Sequence, residues 1–222
     1  MTWIDEWWTM FPSFLPGLLV SLELTVGALA VGLPLGILLA LGSIVPQPYV
    51  RWPVIVIVEI GRGAPGLIVL YLVYFGLPQF NLTLSSFVSA TIALGFTAGA
   101  YTAEIFRAGI NAVPAGQREA SRALGLGWVK ELRLVILPQA VKVVIPPLVG
   151  FGILLFQGTS LAFVISVPEL LSIAYNNASI TYQFFGSLTL VGAMYAAVSI
   201  IAVSLLKLRR PRKAQASLSA AH

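Results

Sequence analysis

The sequence NAVPAGQREASRALGLGWVKELRLVILP, from Asn111 to Pro138, is a polar stretch between two strongly apolar halves of the chain. Ala115–Gln117 can end one element, and Glu119–Leu124 is then compatible with a short helix, because a carboxylate is favourable near the positive N-terminal end of a helix. Gly125-Leu-Gly127 predicts the end of that helix, since glycine tolerates the left-handed conformation that a helix C-terminus requires. A second helical piece is expected from Trp128 to Leu137, after which Pro138 turns the chain back into apolar sequence.

The composition excludes several classes of protein. With 222 residues, 58% hydrophobic and 9% charged, and a mean hydropathy of +0.93, the chain is too apolar for a soluble domain of its size. The absence of cysteine removes disulfides and thiolate metal ligands. The only histidine is His222, at the end of the sequence, so we expect neither a metal site nor histidine acid–base catalysis.

The apolar runs predict an all-α integral membrane protein with about five transmembrane helices. The first run exceeds the apolar region of a signal peptide and lacks a basic segment before it, so it is expected to remain as a span. Within it, Gly32 and Gly36 form a G-x-x-x-G pair, a common pattern that permits close helix packing. The predicted spans are Phe14–Leu41, Val54–Leu77, Phe87–Ile105, Ala140–Ser166 and Phe184–Leu206.

These spans form one predicted transmembrane domain over residues 1–222. Its core covers residues 14–210, and residues 111–138 lie between spans three and four as a surface loop. Residues 211–222 are expected to be a disordered basic tail.

The basic residues predict how the chain is oriented in the lipid bilayer. If the N-terminus is outside, all 13 lysines and arginines lie on or near the cytoplasmic side, as the positive-inside rule favours. The C-terminus and the stretch 111–138 are then cytoplasmic. The net charge of +5 is confined to short segments beside apolar runs, so no nucleic-acid partner is expected.

Two pairs of opposite charges occur inside or beside predicted spans. Glu59 and Arg62 are three residues apart, as are Glu104 and Arg107, so each pair can share one helix face. A charge in hydrocarbon costs roughly 2.5–3.5 kcal/mol on insertion scales, which favours pairing or a wet location. Self-neutralising pairs near the cytoplasmic boundary and packing against a second subunit both remain open.

The stretch 111–138 could be an ordinary solvated loop, but its spacing resembles the EAA loop of ABC importer permeases. Glu119-Ala-Ser121 is followed by three residues, Gly125, nine residues and Val135-Ile-Leu-Pro138. Ser121 and Val135 are small departures from the family pattern of Ala and Ile. The resemblance implies a coupling helix that docks on a separate ATPase subunit, through Gly116, Glu119, Ala120, Ser121, Gly125, Leu126 and Gly127.

Further motifs resemble the polar amino acid branch of these permeases. They are Glu59-Ile-Gly-Arg-Gly-Ala-Pro65, where Ala64 replaces the usual hydroxyl residue, Tyr74-Phe-Gly-Leu-Pro78 and Ala103–Ile110. The segment Gln157-Gly-Thr-Ser160 resembles a Lys-Asp-Thr-Ser segment that the family associates with the substrate path. Gly158 removes the Asp of that pattern, so the pocket of this subunit can be incomplete. Alternatively, Thr159 and Ser160 simply donate hydrogen bonds back to helix carbonyls.

The resemblance implies a non-enzymatic permease subunit of an importer for polar amino acids in the bacterial inner membrane, working by alternating access. No G-x-x-x-x-G-K-[ST] motif is present, so no cofactor is expected on this chain and ATP with Mg belongs to the partner ATPase. The implied partners are two ATPase subunits, a second permease subunit, identical or paralogous, and an extracytoplasmic amino-acid-binding protein. A secondary transporter or channel, an integral membrane enzyme and a permease for another solute class are the alternatives.

Overall fold

The structure, a computed structural model, describes residues 3–208 and the side chains of residues 6–205. Every regular element in this range is helical, which confirms the predicted all-α class. The tail predicted at residues 211–222 lies outside the described range. The helices are α1 (Trp3–Ile44), α2 (Pro48–Gly63), α3 (Gly66–Tyr71), α4 (Ser86–Asn111), α5 (Ala115–Ala123), α6 (Trp128–Glu131), α7 (Leu137–Gly158), α8 (Leu170–Thr181) and α9 (Phe184–Leu208).

Three helical segments of the described chain are long and apolar enough to cross a membrane: Glu6–Ile44, Trp128–Ile165 and Phe184–Leu205. The bent pair Pro48–Gly63 and Gly66–Phe80 makes a fourth if it forms one span. Helix α4 has 26 residues and is about 39 Å long at 1.5 Å per residue, more than the roughly 30 Å of hydrocarbon. Its many Gly, Ala, Ser and Thr residues lower its hydropathy, and it is not among the three segments above. The total of five spans, which counts α4 as the third, stays a prediction.

The second predicted span, Val54–Leu77, is not one continuous helix. Helix α2 ends at Gly63, and the segment after Pro65 leaves at an angle of 102°. Ala64 is extended, with φ −72° and ψ 131°, because the ring of a proline disfavours helical backbone at the preceding residue. The chain then continues through α3, a π-helical turn and a 3₁₀ turn that ends at Phe80.

Pro138 does not turn the chain back, contrary to the expectation from the sequence. The helical path runs without interruption from Trp128 to Ile165, with a π-helical turn over Leu132–Ile136 and Pro138 in the first turn of α7. Proline lacks an N–H and its ring crowds the carbonyl four residues earlier. The backbone hydrogen bond from residue 138 to the carbonyl four residues earlier is therefore missing. A π-helical turn lies at this position, and such turns commonly accommodate a missing hydrogen bond within a helix.

Helices α1 and α4 form the most extensive helix pair of the molecule. A Cβ atom added to Gly32 would lie 2.6 Å from the Cβ of Ala98 and 3.0 Å from the carbonyl oxygen of Gly95. The Thr102 hydroxyl lies 3.2 Å from the Gly32 carbonyl oxygen. The close packing predicted from the glycine spacing in α1 is therefore confirmed, and it fixes α4 against α1 at backbone contact.

Helix α8 was not predicted from the sequence. Its first turn packs on α1, where a Cβ on Gly17 would lie 2.9 Å from the Cα of Leu170. Phe14 and Leu170 are fully buried together in a cluster that also includes Met194 of α9. Helix α8 thus packs against both the first helix, α1, and the last helix, α9. It also contacts the 3₁₀ turn that follows α7.

Candidate functional site

Helices α5 and α6 form a hairpin, Ala115–Glu131, hereafter the α5–α6 hairpin. Helix α5 starts at Ala115 rather than at Glu119, so Ala115–Gln117 begin a helix instead of ending one. The helix closes as predicted at Gly125, whose φ is +74°. The Leu126 N–H donates to the Ser121 carbonyl at 3.1 Å and the Gly125 N–H to the Arg122 carbonyl at 2.9 Å, the two bonds of a Schellman cap.

Two arginines hold the α5–α6 hairpin in place: Arg122 joins its two helices to each other, and Arg118 joins it to α4. Arg122 Nε donates to Glu131 Oε2 at 3.2 Å, and Glu131 is buried. Arg118 Nη2 donates to the Ile110 carbonyl at the end of α4, at 2.7 Å. The ion pair with the buried Glu131 carboxylate and the bond to the end of α4 both restrain the hairpin. The hairpin is therefore a rigid unit rather than a solvated loop.

The residues predicted to contact an ATPase are not all exposed to solvent. Ser121 is buried and donates to the Arg118 carbonyl of the same helix at 2.8 Å, so it is not exposed to a partner. Leu126 is partly buried. The exposed members are Gly116, Glu119, Ala120, Gly125 and Gly127.

Sequence reasoning missed two exposed apolar residues of the hairpin. Leu124 is 79% exposed and Val129 is 66% exposed, although both lie in a polar stretch. Their apolar character inside a charged stretch was the available signal.

The two predicted ion pairs are both present. Arg62 Nη1 lies 3.4 Å from Glu59 Oε1, and Arg107 Nε donates to Glu104 Oε2 at 2.9 Å within a two-bond pair. The Tyr101 hydroxyl donates to the Arg62 carbonyl at 3.2 Å, and the Arg62 guanidinium lies 5.9 Å from the centre of the Tyr101 ring. Tyr101 thus links the two pairs across the α2–α4 contact.

The ion pairs border one cavity of about 120 Å³ between α1, α2 and α4. Its charged lining residues are Glu59, Glu104 and Arg107. Among the described residues, no group of three or more His, Cys, Asp or Glu side chains is arranged to hold a metal ion. The cluster brings two pairs of opposite charges together where α2 meets α4.

The predicted substrate-path residues lie where α7 ends. Gln157 is exposed and its Nε2 donates to Ser199 Oγ of α9 at 3.3 Å. A Cβ on Gly158 would have no atom within 4 Å. Thr159 is fully buried and donates to the Phe156 carbonyl at 2.6 Å, and Ser160 donates to the Gln157 carbonyl at 2.8 Å. Both hydroxyls thus make the local bonds weighed as the alternative, and Thr159 faces inward.

A buried carboxyl group at Glu169 was missed by the sequence reasoning. Glu169 caps α8 by accepting from the N–H groups of Leu171 at 2.9 Å and Ser172 at 2.7 Å. It also accepts from the Tyr195 hydroxyl of α9 at 3.0 Å. Burial raises the pKa of this carboxyl, against the lowering effect of those hydrogen bonds. The available signal was its isolation, because Glu169 is the only charged residue between Lys142 and Lys207.

The chain matches one known family over most of its length. Residues 32–215 match the family described as the inner membrane component of binding-protein-dependent transport systems. The arginine transport system permease protein ArtQ of Bacillus subtilis is 35% identical over 192 residues, which are 86% of this chain and 87% of that protein. The histidine/lysine/arginine/ornithine transport system permease protein HisM of Salmonella typhimurium is 32% identical over 215 residues, 92% of this chain and 91% of that protein.

Solved structures agree with these sequence relatives. A crystal structure of an amino acid ABC transporter with histidines matches with a TM-score of 0.87 and 33% identity, over 94% of this chain and 97% of that chain. An inward-facing MetNI methionine ABC transporter matches with a TM-score of 0.71 at 21% identity, which shows the shared fold alone. Family and fold together confirm the predicted inner-membrane permease, which is not an enzyme. The chain belongs to the inner-membrane component family of binding-protein-dependent transport systems, among the amino-acid ABC transporter permeases.

Proposed function

We propose that this chain forms part of an ATP-driven pathway that imports polar amino acids, and that the α5–α6 hairpin is the part on which a separate ATPase acts. The main support for this proposal is the rigid, solvent-exposed hairpin. Its turn is closed by a left-handed glycine, Arg122 joins its two helices and Arg118 holds it to α4. Leu124 and Val129 of the hairpin are exposed. A rigid lever fastened to α4 can transmit force from a docked motor to the spans.

The transmission has a physical route through the fold. Arg118 binds the last turn of α4, and α4 packs along α1 at backbone contact. A displacement of the hairpin therefore moves α4 and α1 together, as rigid-body rocking requires. The docked ATPases must favour one permease conformation over the other for ATP to drive the change.

The partners follow from the same proposal. Two ATPase subunits bind ATP and Mg and dock on the hairpins of two permease subunits, this chain and an identical or paralogous second copy. An extracytoplasmic binding protein delivers the amino acid. The α2–α4 charge cluster is partly exposed, with Glu59 65% and Arg107 43% exposed, which fits either internal compensation or a contact with the second permease.

The proposed topology has five spans, with α4 as the third and the bent α2–α3 pair as the second. The N-terminus lies outside, and the hairpin and C-terminus lie in the cytoplasm. Support comes from the basic residues of the hairpin, Arg118, Arg122 and Lys130, which the positive-inside rule places on the cytoplasmic side.

The proposed substrate path passes the end of α7. Gln157 and Ser160 have polar atoms at a surface of this segment, and Gly158 leaves open space beside them. Polar groups of an interrupted helix can serve a zwitterionic substrate inside a membrane. Buried Thr159 would act by shaping this segment rather than by touching the substrate.

Uptake by the reconstituted complex tests this function. The chain, its ATPase and its binding protein would be placed in proteoliposomes and assayed with labelled L-arginine, L-histidine, L-glutamine and L-glutamate. Uptake of at least one of them should require enclosed ATP and should stop with a non-hydrolysable analogue. Equal uptake without ATP would instead support a secondary transporter or channel. ATP-dependent uptake of an unrelated solute alone would assign another substrate class.

A further inference from the structure

Two residues of α9, one helical turn apart, contact the chain at the start of the candidate substrate-path segment Gln157–Ser160. Ser199 Oγ accepts from Gln157 at 3.3 Å while it donates to the Tyr195 carbonyl at 2.8 Å. The Tyr195 ring lies 5.1 Å from the ring of Phe156, the residue just before the segment. Helix α9 therefore contacts Gln157, the first residue of the segment, and Phe156, the residue just before it.

Glu169 holds Tyr195 in this position. The Tyr195 hydroxyl donates to Glu169 Oε2 at 3.0 Å, and the same carboxylate is fixed by two N–H groups of α8. Glu169 is fully buried. Ser21 of α1 accepts from the neighbouring Leu170 N–H at 3.2 Å, so the support for Tyr195 extends from α9 through α8 to α1.

The Gln157–Ser160 segment needs contacts from other helices, because its own sequence and backbone geometry favour a single conformation only weakly. Gly158 has no side chain to pack and lowers helix stability by roughly 0.5–1 kcal/mol relative to alanine. The backbone changes from α-helix to a 3₁₀ turn at Thr159, and 3₁₀ geometry is less favourable and is used in short pieces. Contacts from α9 hold Phe156 and Gln157, at the start of this segment.

We propose that Tyr195, braced by Glu169, is a positioning residue that sets the geometry of the Gln157–Ser160 segment for substrate passage, with Ser199 holding Gln157. This inference rests on the proposed substrate path. Phenylalanine would keep the contact with Phe156 but would lose the hydroxyl that donates to Glu169. The hydroxyl, rather than the ring, is therefore the group to remove.

The test uses the complete complex in proteoliposomes with the same four labelled amino acids. Tyr195→Phe should lower the number of amino acids imported per ATP hydrolysed by roughly fivefold, the size expected for one lost hydrogen bond. Assembly with the ATPase and stimulation of ATP hydrolysis by the binding protein should stay unchanged, because neither involves this contact. Glu169→Gln should act in the same direction. Ser204→Ala, an exposed serine of the same helix, is the matched control and should transport normally.

A double-mutant cycle separates positioning from general packing. If Tyr195 acts through its hydrogen bond to Glu169, the double variant Tyr195→Phe with Glu169→Gln should be no worse than the stronger single variant. Additive losses, or normal import per ATP by Tyr195→Phe, would overturn the inference. Should Tyr195→Phe fail to assemble, Ser199→Ala takes its place with an expected fall of roughly twofold, and unchanged import by that variant would be equally decisive.

The wild-type complex distinguishes this failure from failure of the proposed function. If the wild type imports amino acids with ATP and the variants import them equally well, only the proposed positioning role is refuted. If the wild type shows no ATP-dependent import, the proposed function fails and the positioning role with it.

Discussion

Gly125 is the residue on which the turn of the α5–α6 hairpin depends. Its φ of +74° lies in the left-handed region, which costs most other residues roughly 1–2 kcal/mol. No atom lies within 4 Å of a Cβ added there, so a side chain at this position would point outward to whatever docks on the hairpin. The glycine therefore serves both the backbone of the turn and the access of a partner.

Gly125→Asp should remove ATPase docking while the spans stay folded. A charge would be placed in the docking surface, and loss of co-purified ATPase by roughly tenfold would correspond to about 1.4 kcal/mol of binding free energy. Gly125→Asn is the matched control, because it has the same shape, also tolerates the left-handed conformation and lacks the charge. It should lose less ATPase than the aspartate variant. Undiminished co-purification of Gly125→Asp would contradict a docking role for this turn.

Gly158→Asp should change which amino acids are imported. The space beside Gly158 is open, so an aspartate fits and adds a carboxylate next to Gln157 in the proposed path. An opposite charge at about 4 Å is worth about 1 kcal/mol in water and more in a less polar site. Import of L-arginine relative to L-glutamate should therefore rise by roughly fivefold or more. The neutral variant Gly158→Asn controls for bulk, and an unchanged ratio would place the path elsewhere.

At the scale of helices, the α1–α4 contact is the element on which the fold and the proposed force transmission both rely. Gly32 and Gly36 of α1 lie against Ala98 and Thr102 of α4. The small residues that make α4 the least apolar of the long helices are the same ones that let it approach α1. A helix surrounded by protein needs fewer lipid-facing apolar side chains than its neighbours.

Gly32→Val should destabilise this contact, because the added side chain would overlap Ala98 at 2.6 Å. Overpacking of this kind costs about 1–3 kcal/mol, which should appear as a lower unfolding temperature of the purified protein in detergent. The matched control is Gly192→Val on α9, where a Cβ meets no atom within 4 Å. A Gly32→Val protein as stable as the control would mean that α1 and α4 do not pack this closely.

The sequence pattern was informative wherever the signal was local. Apolar runs predicted the long helices, the G-x-x-x-G pair predicted the close contact of α1, and Gly125 predicted the end of α5. Charge spacing of three residues predicted both ion pairs. Each of these features is decided by residues that are neighbours along the chain.

The pattern failed where distant residues decide the outcome. Pro65 lies at the break between two helices, whereas Pro138 lies in a continuous helical path, directly after a π-helical turn. The apolar run after α7 gave no sign of α8, whose first turn contacts Gly17 and Ser21 of α1. The hydroxyl group that donates to Glu169 belongs to Tyr195, 26 positions away, which no local spacing indicates.

At the scale of the whole molecule, the proposed orientation separates two exposed regions to opposite sides of the membrane. Glu119 of the hairpin would face the cytoplasm, whereas Tyr182, 85% exposed at the turn between α8 and α9, would face outward. The natural sequence has no cysteine, so a single introduced cysteine is the only labelling site. Glu119→Cys should react with an impermeant maleimide in inside-out vesicles only, and Tyr182→Cys in right-side-out vesicles only. Labelling of both from the same side would refute the single span that α7 is proposed to form between them.

The central claim is that an external ATPase acts on this chain through the α5–α6 hairpin, and cross-linking from Leu124 tests it most directly. A benzophenone maleimide attached to Leu124→Cys, a position 79% exposed, would be photolysed in the assembled complex with and without ATP. The account predicts a cross-link to the ATPase subunit whose yield changes with ATP, and none from the same reagent on Tyr182→Cys. Absence of an ATPase cross-link from Leu124→Cys in a complex that still imports amino acids would contradict it.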